Sequence, residues 1–109
     1  MKIYIAAPYT NGDVAKNIRK VMEVANILMN RGHYPYIPHL THFQHIYFPR
    51  PYEDWLKLDN AFIPSCDALL RLEGKSSGAD KEVELAKKLG LKIFYNLSEI
   101  WNLKKYKKD

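Results

Sequence analysis

Apolar positions in this chain change period several times, and each change marks an element. Lys2-Ile3-Tyr4-Ile5-Ala6 is a short run of β-branched and aromatic residues, which predicts a buried strand. Pro8 to Gly12 reads as a loop. Val14, Ile18, Val21, Met22, Ala25, Leu28 and Met29 then keep helical spacing as far as Arg31. Asn11 or Asp13 is available to cap that helix, and Gly32 to end it. Tyr34 to Ile37 predicts a second strand, closed by Pro38. Residues 38–50 show no clear period and predict a loop. Pro51 suits the first turn of another helix, which runs to about Ser65. Ala68 to Leu72 predicts a third strand, residues 73–78 a loop, and 79–90 a helix. Leu91 to Tyr95 predicts a fourth strand, and residues 98–106 a short last helix.

Strands that alternate with helices imply an α/β fold, a parallel sheet covered on both faces. Right-handed crossovers with strand order 2-1-3-4 give a small doubly wound, Rossmann- or flavodoxin-like sheet of four to five strands. Ligands in such sheets bind beyond the strands' carboxyl ends, where the strand order reverses. Here that point lies between the first and third strands. Loops 7–12 and 73–78 meet there.

Two carboxylates stand out against this frame. On the helix 79–90, Ala79, Val83, Ala86 and Gly90 form the inward stripe, and Glu82 lies at its edge beside Leu89. One reading is a partly buried acid tied to a lysine or to its own helix start. The other is a reagent one turn inside a helix, next to a loop able to hold a phosphate. On the helix from Pro51, Tyr52, Trp55, Leu56, Leu58, Phe62 and Ile63 form a broad apolar face with Asp59 in its middle. A carboxylate there needs partners or a raised pKa. It is either a structural cap or an acid facing a cleft. Two carboxyls in different environments suit glycosidic chemistry, one at the anomeric carbon and one managing the leaving group's proton.

Composition narrows the class. At 109 residues, 47% hydrophobic and 27% charged, the chain predicts one globular domain spanning residues 1–109. No apolar run approaches the ~20 residues of a membrane span, and no signal-peptide pattern is visible at Met1. A single cysteine, Cys66, excludes an intrachain disulfide and a cysteine-based zinc site. Together these predict a cytoplasmic protein. The net charge of +5 raises nucleic acid as a partner. The basic tail 104–109 holds four lysines and one aspartate and so carries most of that excess. A solvated tail is the plainer reading, and nucleic acid is not the expected partner.

His39, His42 and His45 fall within Pro38 to His45. Three histidines invite a metal, but this spacing is no helical ligand pattern, and no acid or cysteine nearby completes a set. Pocket lining together with Phe43, Tyr47 and Phe48, or plain packing, are the other readings. No metal and no cofactor is expected.

Three segments in register resemble one family. Ile3-Tyr4-Ile5-Ala6-Ala7-Pro8, then Asp59 with Asp67 eight residues on, then Ser76-x-Gly78-x-x-x-Glu82, are similar to the nucleoside 2-deoxyribosyltransferase-like superfamily. That superfamily includes the deoxyribosyltransferases and the 2′-deoxynucleoside 5′-monophosphate N-hydrolases. The likeness covers residues 2–95 and is strongest to a small bacterial and phage branch. That branch carries the Pro38-His39-Leu40-Thr41-His42-Phe43 and Ser76-Ser77-Gly78-Ala79-Asp80 segments.

The resemblance implies roles. Glu82 matches the nucleophile that attacks C1′, Tyr4 a tyrosine touching it, and Asp59 an acid beside the leaving base. Ala7, Pro8 and Tyr9 fall in the loop over the sugar and phosphate, and His39 in the base pocket. Ser76, with Gly78, matches the position holding the sugar's 5′ side. The resemblance thus implies an enzyme acting on the N-glycosidic bond of a nucleoside or its 5′-monophosphate, hydrolysis favoured over transfer. It also implies a homo-oligomer whose sites borrow a residue near the C-terminus, with Asn96 and Ser98 as candidates. Trp55 or Tyr47 would supply the subunit contact. Where the hydrolases carry an arginine in the first loop, this chain has Thr10 and Asn11, which leaves Lys75 to compensate. A non-catalytic nucleotide-binding module and a histidine-based metal regulator are the competing functions.

Overall fold

The computed structural model describes residues 1–103. The basic tail 104–109, and the end of the helix expected over 98–106, lie outside the described residues. Four strands are formed: β1 Lys2–Ala6, β2 Tyr34–Tyr36, β3 Ala68–Arg71 and β4 Lys92–Phe94. All pair in parallel, in the order β2-β1-β3-β4, as the alternation of elements predicts. Five α-helices connect or follow them: α1 Val14–Asn30, α2 Thr41–Tyr47, α3 Tyr52–Phe62, α4 Ser77–Lys88 and α5 Leu97–Trp101.

The two-residue period of β1 divides the core. Ile3 and Ile5 face α1 and α5, packing with Val21, Leu28, Leu70 and Ile100. Tyr4 and Ala6 face the other way, against Ile63, Leu69, Ala79, Val83 and Ala86. Helices therefore cover both faces, and the fold is a doubly wound α/β sheet. No helix among the described residues is long and apolar enough to cross a membrane.

Several elements differ from the sequence pattern. Residues 38–50 are not all loop: a 3-10 turn at Pro38–Leu40 leads into α2. None of α2's seven residues is buried, so no apolar stripe betrays it. On α1, Met22 and Met29 are exposed, while Val24 joins the buried stripe. On α4, Gly90 does not continue the inward stripe. It ends the helix at φ +80, with Gly90 N–H donating to Lys87 O and Leu91 N–H to Ala86 O, a Schellman closure. Leu89 is exposed as well, so it is no neighbour of Glu82 in a buried face.

Loops 7–12 and 73–76 are joined before any ligand arrives. Asn11 does not cap α1; Asp13 does, accepting from Lys16 N–H. The Asn11 amide instead donates to Lys75 O at 2.8 Å, and Asn17 ties Tyr9 O and Asn11 O from below. Gly74 lies over the ring of Pro8 at φ +117. A Cβ there would stand 2.7 Å from Pro8 Cγ. Gly74→Ala should therefore lose about 1–3 kcal/mol, from a disfavoured backbone region plus a clash. Urea unfolding measures it. A loss within ~0.5 kcal/mol, the scale of a plain surface substitution, would mean the loop simply shifts.

Candidate active site

A cleft of about 340 Å³ opens beyond the carboxyl ends of β1 and β3, at the point of strand-order reversal. Glu82 and Asp59 both line it, from α4 and α3 respectively. Asp59 is the single buried residue of α3, because Leu58 and Phe62 on the expected apolar face are substantially exposed. The helix therefore buries a carboxyl more deeply than any of its apolar side chains. Ile63, in the 3-10 turn that follows, supplies the apolar anchor.

Tyr4 lies wholly buried beneath the cleft in the middle of the sheet. Its hydroxyl donates to Glu82 Oε2. On the neighbouring strand Tyr36 is its register partner, and the two rings stack at 5.3 Å and 19°. The Tyr36 hydroxyl donates to Asp59 Oδ1 at 3.4 Å, and Phe62 stacks on its far side at 4.9 Å. Sequence reasoning did not single out Tyr36. Its signal was the alternation Tyr34-Pro35-Tyr36, which is silent about what lies above the strand.

Ser76 caps α4, its Oγ accepting from Ala79 N–H at 3.1 Å, and its side chain borders the cleft with Gly78. Gly78 lies close to Tyr52, whose hydroxyl would be 3.1 Å from any Cβ placed there. The first turn of α4 thus meets the cleft, where helix N–H groups favour an anion. Arg71, at the end of β3, secures that turn. Its guanidinium donates to Leu72 O and Gly74 O and pairs with Asp80 at 3.0 Å.

Ala7, Tyr9 and Thr10 line the cleft from the first loop. Pro8 does not: its ring supports Gly74, and its carbonyl accepts from His39 Nε2–H at 2.8 Å. His39 is buried at the cleft wall, and burial lowers its pKa against the Pro8 and Ala7 carbonyls that raise it. The three histidines do not converge. His42 Nδ1 shares a 2.6 Å hydrogen bond with the Tyr9 hydroxyl, and His45 Nδ1 accepts from Trp55 Nε1–H at 2.9 Å. Among the described residues no group of three His, Cys, Asp or Glu side chains could hold a metal. Trp55 is half-buried against the cleft rather than free for a subunit contact, while Tyr47 is exposed. Asn96 caps α5, accepting from Glu99 N–H and from the Ser98 hydroxyl, so both C-terminal candidates are occupied within this chain. Lys75 is exposed and off the cleft wall; Arg50 is the one Lys or Arg that lines it among the described residues.

A family model described as "Domain of unknown function (DUF7768)" matches residues 1–96. The chain belongs to the DUF7768 family. Among solved structures, a 2-deoxyribosyltransferase from the psychrotolerant bacterium Bacillus psychrosaccharolyticus is similar to this DUF7768 chain. The TM-score is 0.63 at 20% identity, covering 85% of this chain and 69% of that one. At that identity the likeness establishes the fold. No curated protein matches the chain.

The electrostatics of the DUF7768 cleft favour protons on its acids. Burial pushes Glu82 up to about 7, aided by the charge of Asp59 and opposed by the Tyr4 hydrogen bond and by Arg71. Burial likewise pushes Asp59 up to about 6, opposed by the Tyr36 hydrogen bond. Both values are raised above those of an unfolded chain. The stability they contribute is therefore complete below about pH 4 and is lost as pH rises through about 6 and about 7. Glu82→Gln should then stabilise the protein at pH 8 by on the order of 2 kcal/mol and leave it little changed at pH 4. Paired urea unfolding curves check this. An equal effect at both pH values would place Glu82 in ordinary solvent.

Proposed function

We propose that this protein cleaves the N-glycosidic bond of a nucleoside or nucleoside 5′-monophosphate, with Glu82 as nucleophile. The observation that carries the reading is a pair of carboxyls with raised proton affinity in one cleft, Asp59 buried and Glu82 half-buried, the latter held by the Tyr4 hydroxyl. The shared fold with a 2-deoxyribosyltransferase supports it at the level of architecture.

In the first step the Glu82 carboxylate attacks C1′ through an oxocarbenium-like transition state. The C1′–N bond breaks, its electrons pass to the base nitrogen, and Asp59 delivers the proton that the departing base takes up. A glycosyl ester on Glu82 results. In the second step water attacks C1′, Asp59 takes its proton, and the ester C–O bond returns its electrons to Glu82. A second base in place of water gives transfer. Tyr4 donates to the carboxylate before attack and keeps one oxygen aimed at the cleft. Its own proton stays in place, since burial and both nearby carboxylates raise its pKa.

Glu82 must be ionised and Asp59 protonated, which is the minority singly protonated form, because Glu82 (about 7) holds its proton more tightly than Asp59 (about 6). The kcat/KM profile should therefore be a bell that peaks between about 6 and about 7, with limbs belonging to the pair. A panel of nucleosides and 5′-monophosphates, scored for free base by chromatography, tests the reading. Glu82→Ala should abolish base release. Asp59→Asn should lower it by about 10²-fold or more and remove the alkaline limb. An active Glu82→Ala protein would end the assignment, and a panel with no released base would favour a non-catalytic binding module.

Ser76 would then distinguish nucleotide from nucleoside use. Ser76→Ala should weaken 5′-monophosphates roughly 10- to 100-fold more than free nucleosides, the scale of a hydrogen bond to a charged group. It should also lose about 1 kcal/mol of stability, because the same oxygen caps α4. Equal losses for both substrates would reduce Ser76 to a cap.

A further inference from the structure

We infer that Tyr36 is a positioning residue: its hydroxyl holds Asp59 as the Tyr4 hydroxyl holds Glu82, so that two stacked phenols on adjacent strands set both carboxyls. The geometry is paired. Tyr4 and Tyr36 are direct partners in the β1–β2 ladder and lie on the same face of the sheet, with parallel rings at 5.3 Å. Each hydroxyl donates to a different acid, from a different helix. Phe62, on α3 itself, closes the far side of the stack at 4.9 Å, so Asp59 and the tyrosine that holds it share one support.

A half-buried phenol beside a carboxyl keeps its proton near neutral pH. Tyr36 is pushed up to about 12, by burial first and then by Asp59, with Cys66 and Glu82 adding to it. It is therefore a fixed donor over the range in which the acids titrate. A fixed donor stabilises the ionised form of the acid it touches. Tyr36 thus keeps Asp59 from rising as far as burial alone would carry it, as Tyr4 does for Glu82. Asp59 shares the cleft with Glu82 from α4 and Tyr52 from its own helix, and Tyr4 lies below. Arg50 and the three histidines line the same cleft, and Arg71 acts on Glu82. Tyr36 is the side chain that donates to Asp59. The purpose of the arrangement rests on the glycosidic reading: an acid that must give a proton to a leaving base, then take one from water, cannot bind it too tightly.

Tyr36→Phe removes the hydroxyl and keeps the ring and the stack. With side-chain carboxyl carbons labelled with 13C, the Asp59 titration midpoint should move up by roughly half to one pH unit, the scale of one ordinary hydrogen bond. Glu82 should move less. Tyr4→Phe should do the reverse, raising Glu82 more than Asp59. In kinetics, because Glu82 titrates above Asp59, Tyr36→Phe should carry the acidic break of the kcat/KM bell upward with the Asp59 midpoint and leave the alkaline break in place. A folded Tyr36→Phe protein with an unmoved Asp59 midpoint would overturn the inference. If Tyr36→Phe does not fold, Asp59→Asn reads the same contact from the other side, through a Tyr36 Cζ titration moved to lower pH; no movement there would overturn it too. Base release by the unmutated protein is scored separately. A moved midpoint without base release keeps the positioning role and removes the glycosidic reading, and an unmoved midpoint with base release does the opposite.

Discussion

A tyrosine hydroxyl buried at the centre of a parallel sheet must find an acceptor, and much of this site follows from that need. Tyr4 is fully buried on β1, flanked by β2 and β3, with its ring on the α4 side. An unpaired hydroxyl there would cost about 1–3 kcal/mol. Glu82 provides the acceptor, and its helix can do so because small residues, Ala79 and Ala86, let α4 approach the sheet closely. The carboxyl is thereby drawn out of water to the floor of the cleft. The apolar packing of α4 and the raised proton affinity of its acid are consequences of one approach distance.

The same arrangement carries an energetic cost. Two carboxyls are held near each other with raised proton affinities, so at neutral pH the native state ionises them against its own surroundings. Among the described residues, Arg71 offsets part of this at Glu82. It is also engaged with the 72–74 loop and Asp80, and Arg50 pairs with Asp54 at the cleft's margin. Each acid also receives a hydrogen bond from one of the two tyrosines. Perturbed acids cluster at functional sites, where burial and like charges set their proton affinity.

Much of the fold was legible in the chain because the elements that build the sheet keep a strict period. The runs at Lys2–Ala6 and Ala68–Arg71 are buried as their patterns require, and the helix from Val14 buries Ile18, Val21, Ala25 and Leu28 of its predicted stripe. The legibility fails where side chains serve a cleft instead of a core. The helix Thr41–Tyr47 buries nothing, so its histidines and aromatics looked aperiodic. The helix Tyr52–Phe62 has an apolar face that is largely exposed, yet the odd acid in that face marked the side that lines the cleft. Glu82 and Asp59 were visible as misplaced charges. Tyr36 was not, because its meaning depends on strand register and on a helix distant in sequence. Pro8 was read as a contact to substrate, but it serves as the seat of Gly74 and an acceptor for His39.

The central claim is that Glu82 forms a bond to the sugar. A 2′-fluorinated nucleoside slows both steps by destabilising the oxocarbenium-like transition state, and the second can be slow enough for the intermediate to accumulate. Intact-mass spectrometry after incubation should show an increment equal to the fluorinated sugar without its base. Tandem fragmentation should place it on Glu82, and Glu82→Gln should show none. Base release from ordinary nucleosides, with the increment absent or carried by any other residue, would contradict the account.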